Sequence, residues 1–236
     1  MQLFRTDREL TPSWSLVGPS LRLVKENIWP VLYLSFLPGL VVVAGLVLAG
    51  NPSSPNTVVT QIDGRTLAGI GLMIAGGIWT ILTYPALVVL QLRAISGSHP
   101  SATQCFRQGL TQFFPLLILT ILTAIAIFFG LLALLIPGLI LIRGFYLAQF
   151  YLIDNKLKPI EALKKSFQNS KPHAGYIWGT IAVEIVISII GSPLGKIPVL
   201  GFFLTLAIGT IYLFGPALRY GEIAKNLPAV PPLQAK

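Results

Sequence analysis

From Phe113 to Ile153 the chain runs for 41 residues with a single charged side chain, Arg143. As one helix this stretch would be about 60 Å long at a rise of 1.5 Å per residue. That is twice the roughly 30 Å hydrocarbon core of a bilayer. Such a run has to cross lipid twice, so the chain turns back within it. Pro137-Gly138, in "LLIPGLI", is the only turn signal it contains, and a tight hairpin is expected there.

The remainder of the sequence has the same grain. Of 236 residues, 54% are hydrophobic and 11% are charged, less than half the charge content of an ordinary soluble domain; the mean hydropathy is +0.76. Six apolar segments are expected to span a membrane: residues 29–49, 67–92, 113–135, 138–153, 173–190 and 198–218. The expected fold is therefore all-α and polytopic, with six transmembrane helices arranged as three hairpins. Residues 1–28 form an N-terminal tail with an interfacial helix, 29–218 the membrane domain, and 219–236 a Pro-rich tail with a disordered end. The first residues lack the apolar run of a cleaved signal peptide.

The placement of cations gives an orientation. Arg5, Arg8, Arg22 and Lys25 precede the first span. Arg93 and Arg107 follow the second. Lys156, Lys158, Lys164, Lys165 and Lys171 follow the fourth, and Arg219, Lys225 and Lys236 follow the sixth. These fourteen share one side of a six-span layout, and Arg65 and Lys196 alone occupy the other. The expectation is a chain in the plasma membrane, the inner membrane of a bacterium, with both termini in the cytoplasm and its basic face on anionic lipid head groups. The net charge of +9 is thereby topological. No basic module with interleaved stacking aromatics accompanies it, which argues against nucleic acid.

Three basic-side stretches are alike: "LRLVKENIWP" (21–30), "FRQGLTQFFP" (106–115) and "LKKSFQNSKP" (163–172). Each has a large apolar residue nine positions before its proline, a cation eight before and a carboxamide three before. The pattern reads as an amphipathic helix in the interface, followed by a proline that opens a span at a position where its missing N–H costs nothing. The repeating unit is thus an interfacial helix and a two-span hairpin. "YPAL" (84–87) and "GPAL" (215–218) are corresponding pieces of second spans.

An intramembrane arginine needs a partner or a polar interior. Glu184, in "WGTIAVEIVISII", is the one carboxylate within a span. Arg143 and Glu184 lie at similar depths on successive spans, so an Arg143–Glu184 ion pair is expected in the outer half. Thr180, Glu184 and Ser188 form a polar stripe at spacing four, and Tyr146 lies one turn from Arg143. Small residues at Gly71 and Ala75, and at Gly201, Thr205 and Gly209, suit close helix contacts. A single cysteine, Cys105, rules out an intramolecular disulfide, and His99 and His173 are far apart. Hydrolase triads, phosphate loops and dinucleotide fingerprints are absent. No catalytic residue, metal site or cofactor is therefore expected.

The stretch "IPGLILIRGFYLAQFYLIDNKLKPIEALKKSFQNSK" has Pro137-Gly138 opening a span, Asp154 at its exit, and then Glu161, Ala162, Leu163 and Ser166 as "EAL..S". It resembles a bacterial multi-pass family that includes the membrane domain attached to some glycerophosphoryl diester phosphodiesterases, together with stand-alone relatives. About 40 residues carry the resemblance. In that family the phosphodiesterase chemistry belongs to a separate soluble barrel, for which this chain has no room. The resemblance implies location and fold, without catalysis. Two functions follow as expectations: a non-enzymatic protein that assists or scaffolds a membrane or envelope lipid process, or a small transporter or channel component with a polar focus at Arg143 and Glu184.

Overall fold

The computed structural model describes residues 10–49, 64–193 and 200–225. The cations at 5, 8, 196 and 236, the polar loop around Asp63 and the Pro-rich end of the tail lie outside the described residues. The described chain begins with a 3₁₀ turn, Ser13–Leu16, and α1, Val17–Glu26. Next come α2 (Ile28–Val31), a π-helical turn (Leu32–Phe36) and α3 (Leu37–Ala49). They are followed by α4 (Gly64–Ile95), α5 (Ala102–Thr111), α6 (Phe113–Ala133), α7 (Leu135–Phe145) and α8 (Ala148–Asp154). The last four helices are α9 (Pro159–Ser170), α10 (Ala174–Gly191), α11 (Leu200–Ile211) and α12 (Gly215–Lys225). There is no strand among the described residues. Six stretches are long and apolar enough to cross a membrane: Ile28–Ala49, Gly64–Ile95, Phe113–Ala133, Leu135–Asp154, Ala174–Gly191 and Phe203–Lys225.

The long apolar run does reverse, three residues earlier than the sequence suggests. Leu134, with φ −166° and ψ 145°, is the single extended residue between α6 and α7. Pro137 is the third residue of α7, in the first turn, where a backbone N–H has no helical acceptor. Gly138 serves packing instead of turning. A Cβ there would lie 2.9 Å from the Leu131 backbone nitrogen, and one on Gly130 would lie 3.1 Å from the Gly138 Cα. The pair of glycines lets α6 and α7 close against each other beside the turn.

The repeated stretches break in related ways. Asn27 (φ −116°, ψ 33°) separates α1 from α2, and Gln112 (φ −101°, ψ 4°) separates α5 from α6. Both are the carboxamides of the repeat, and Pro30 and Pro115 then stand third in their helices. In the third stretch the helix continues past Asn169. The same backbone conformation occurs at His173 (φ −111°, ψ 25°), just after Pro172.

Burial is polarised. The core is built at the end that holds α1, α5, α8, α9, α12 and the second half of α4, with Ala86, Leu90, Phe150, Leu152, Phe214 and Tyr220 fully enclosed. Toward the opposite end Ile70, Ile74, Ile78, Phe128, Phe129 and Leu132 are exposed, an apolar surface of the kind that lipid covers. Between α3 and α4 the close contact falls at Gly45, Gly69 and Gly76. A Cβ on Gly69 would come within 2.4 Å of the Ala49 nitrogen and 2.6 Å of the Gly45 oxygen. The expected contact residue Gly71 faces open space, as does Gly209; Thr205 does pack, its hydroxyl donating to the Gly191 carbonyl at 3.2 Å.

Candidate functional site

The expected Arg143–Glu184 ion pair is not formed. None of the ion pairs among the described residues involves either side chain, and Arg143 Nε is buried without a hydrogen-bond partner. α7 and α10 do touch. Depth leaves the facing of a helix open, however, and the residue that meets Glu184 is Tyr146, one turn further along. Its hydroxyl is buried beside the Glu184 carboxylate without closing a hydrogen bond of ordinary geometry.

Two more tyrosines surround Glu184. Tyr84, Tyr146 and Tyr212 all lie within electrostatic reach of its carboxylate, each on a different stretch apolar enough to cross a membrane. Tyr84 immediately precedes Pro85, which lies inside α4 and cannot donate to the helical ladder. Tyr146 and Leu147 interrupt α7 and α8. Tyr212 opens the turn that separates α11 from α12. Partners fix two of these hydroxyls: Tyr84 donates to Gln149 Oε1, and Tyr212 donates to the Ser13 carbonyl at 3.3 Å.

The polar stripe of α10 passes from the interior to the outer surface of the bundle. Thr180 is wholly buried, Glu184 is half-buried, and Ser188 is exposed. Glu184 opens into a recess of about 420 Å³ lined also by Ile181, Ile185, Ser188, Ile189 and Ser192. Ile185 and Ile189 are 52% and 63% exposed, so the recess opens through an apolar surface.

Interior to Thr180 lies a residue that the sequence reading assigned to the tail. Arg219 is completely buried. Its Nη1 donates to Glu222 Oε2 at 2.5 Å, its Nε to Thr180 Oγ1 at 3.1 Å, and its Nη2 to the Thr11 carbonyl at 2.8 Å and Ser13 Oγ at 3.1 Å. The guanidinium also lies over the Tyr176 ring, 5.4 Å from its centroid. Glu222 Oε1 accepts from the Thr11 N–H at 3.2 Å, and Ser13 Oγ donates to the Tyr176 carbonyl at 3.2 Å. One ion pair thereby clamps the N-terminal turn against α10 and α12. His173, which precedes α10 and lies outside the span, has its pKa held below the usual imidazole value by burial and then by Arg219.

The motif residues form a second tie. Asp154 accepts from the Tyr220 hydroxyl and pairs with Lys225 Nζ, each at 2.7 Å, so α12 continues ordered through a cation expected in the tail. Ser166 Oγ donates to the Gly144 carbonyl at 2.7 Å. Ala162 and Leu163 are buried, and Glu161 Oε2 accepts from the Lys158 N–H at 3.4 Å, capping α9. These residues join α7, α8, α9 and α12 and stand apart from Glu184. No group of three metal-ligating side chains occurs among the described residues. No family model, curated protein or solved structure matches the chain.

Proposed function

We propose that this chain is a non-enzymatic integral membrane protein of the bacterial inner membrane that assists or scaffolds a membrane or envelope lipid process, with Glu184 as its working centre. The observation that carries this reading is the recess beside Glu184, which opens between exposed isoleucines. In a bilayer such an opening meets lipid before it meets water. An ionisable side chain retained at that position is a functional candidate, because the membrane penalises it otherwise.

The proposed arrangement is three hairpins, each led in by an interfacial amphipathic helix (α1, α5 and α9), with both termini cytoplasmic. Its support is the fourteen-to-two division of cations and the location of Arg22, Lys25, Arg107 and Lys164 on those three helices. Exposed Trp14 and Trp29 at the same end suit an interfacial aromatic belt. The resemblance to phosphodiesterase-associated membrane domains belongs to this proposal too, and points to the same lipid setting.

A second reading, a small transporter or channel component, is favoured by one observation: the helices are interrupted at Tyr146 and at Tyr212, near Glu184, as carrier helices are at their substrate sites. Lipid analysis separates the two. The purified chain should retain a lipid class enriched over the bulk membrane, as read by mass spectrometry of the extracted lipid. Retention that merely mirrors the bulk composition would contradict the lipid reading.

A further inference from the structure

Glu184 is an intramembrane carboxyl group with no ion pair among the described residues. Behind it, outside the recess lining, stand the phenols of Tyr146, Tyr84 and Tyr212, and along the recess itself lie the hydroxyls of Ser188 and Ser192. Arg219 lies behind the phenols and is held by Glu222. The carboxylate and the serine hydroxyls accept hydrogen bonds readily, and no cation lines the recess. A ligand that complements them brings positive charge and several N–H donors. We propose that the recess takes the primary ammonium of an aminophospholipid head group, with the acyl chains lying over Ile185 and Ile189.

The geometry supplies a route. Ser192, Ser188 and Glu184 recur every four residues on one face of α10, so each step inward covers about 6 Å at helical rise. They lead from the helix end to a carboxylate about 10 Å deeper, counted from Gly191. A head group entering from the boundary exchanges water for successive hydroxyls and then for the carboxylate. A primary ammonium offers three donors, to the carboxylate and to the neighbouring oxygens. A quaternary ammonium offers none, and an anionic head group is repelled by Glu184. Calcium or magnesium would want six or more oxygen ligands, and one carboxylate with scattered hydroxyls falls short of that.

This inference rests on the lipid reading above, and its test separates the two. The full chain is reconstituted in nanodiscs containing equal fractions of phosphatidylethanolamine, phosphatidylcholine and phosphatidylglycerol. It is then released, and retained lipid is counted by native mass spectrometry. Phosphatidylethanolamine should be retained over phosphatidylcholine by about tenfold, the ratio that ~1.4 kcal/mol produces. Glu184→Gln should bring the ratio near one. Ser188→Ala, an exposed site whose change leaves the fold intact, should lower it about threefold, roughly half of that free energy. Lys158→Gln, remote from the recess, should leave it unchanged. Equal retention of the two zwitterionic lipids, or a ratio unmoved in both Glu184→Gln and Ser188→Ala, overturns the proposal. Retention of phosphatidylglycerol that ignores Glu184→Gln overturns the ammonium site while sparing the lipid reading. Retention of no lipid by any form overturns both.

Discussion

Arg219→Met removes the cation at the centre of the N-terminal clamp while keeping most of its volume. The side chain is fully buried, and its partner Glu222 has 5% of its side chain exposed. The substitution therefore strands a carboxylate where water cannot reach it. Deleting one partner of a buried ion pair costs about 3–5 kcal/mol. Thr180 Oγ1 and the Thr11 carbonyl lose a donor as well. For a chain of this size a loss of that order corresponds to a fall in Tm of roughly 6–20 °C, readable by thermal unfolding of the detergent-solubilised protein. Glu222→Gln in the Arg219→Met background should recover part of the loss, because the stranded charge disappears; the two changes share contacts and will not add. Limited proteolysis gives a second reading. Thr11 and Ser13 are held by Arg219 Nη2, so cleavage near residues 10–16 should become rapid in the single variant. A Tm within 2 °C of the parent, or an unchanged cleavage rate, would refute the clamp.

Three further outcomes are expected. Gly69→Val should separate α3 from α4 and lower folded yield severely, since its Cβ meets backbone at 2.4 Å, whereas Gly71→Val, facing open space, should be tolerated; gel-filtration yield compares them. Burial pushes the Cys105 thiol up to about 11, with Arg93 opposing. The thiolate is therefore scarce at neutral pH, and alkylation in the folded protein should be slow and should rise with pH toward that value. A fast, pH-independent reaction at pH 7 would contradict this. In a Cys105→Ser background, exposed reporters at Ser98→Cys and Lys164→Cys should react with an impermeant maleimide only from the cytoplasmic side, and reaction from outside would reverse the topology.

The membrane class was legible because a 41-residue apolar run admits few folds. Asn27 and Gln112 break their helices at the carboxamides of two of the three similar stretches, whereas in the third the helix continues past Asn169. The reversal at Leu134 was not legible. Nothing in a leucine announces an extended backbone, and Pro137-Gly138 is a conspicuous turn signal that here serves a helix start and a close contact instead. Arg219 was misplaced for a different reason. It follows the last apolar run and looks like one more topological cation. Its burial is caused by Thr11 and Ser13, more than 200 positions away in sequence, and local pattern carries no trace of such a contact. Glu184 stands out in the sequence because carboxylates in spans are rare, but its neighbour in the structure is Tyr146 and not Arg143; a charge implies a countercharge, and a phenol gives no comparable signal. One signal could have pointed to the phenols: Tyr84 adjoins a proline inside a span.

The central claim is that the recess at Glu184 opens to lipid. A nitroxide placed at Ser188→Cys, in the Cys105→Ser background and in liposomes, tests it most directly by its collision rates with oxygen and with a water-soluble nickel chelate. Oxygen dissolves in the hydrocarbon and the chelate does not. The account predicts high oxygen accessibility and low nickel accessibility at Ser188, matching a control at Phe128→Cys on the exposed apolar face of α6, away from the recess. Nickel accessibility above that of oxygen would show a water-lined path at this face of α10 and would contradict the account.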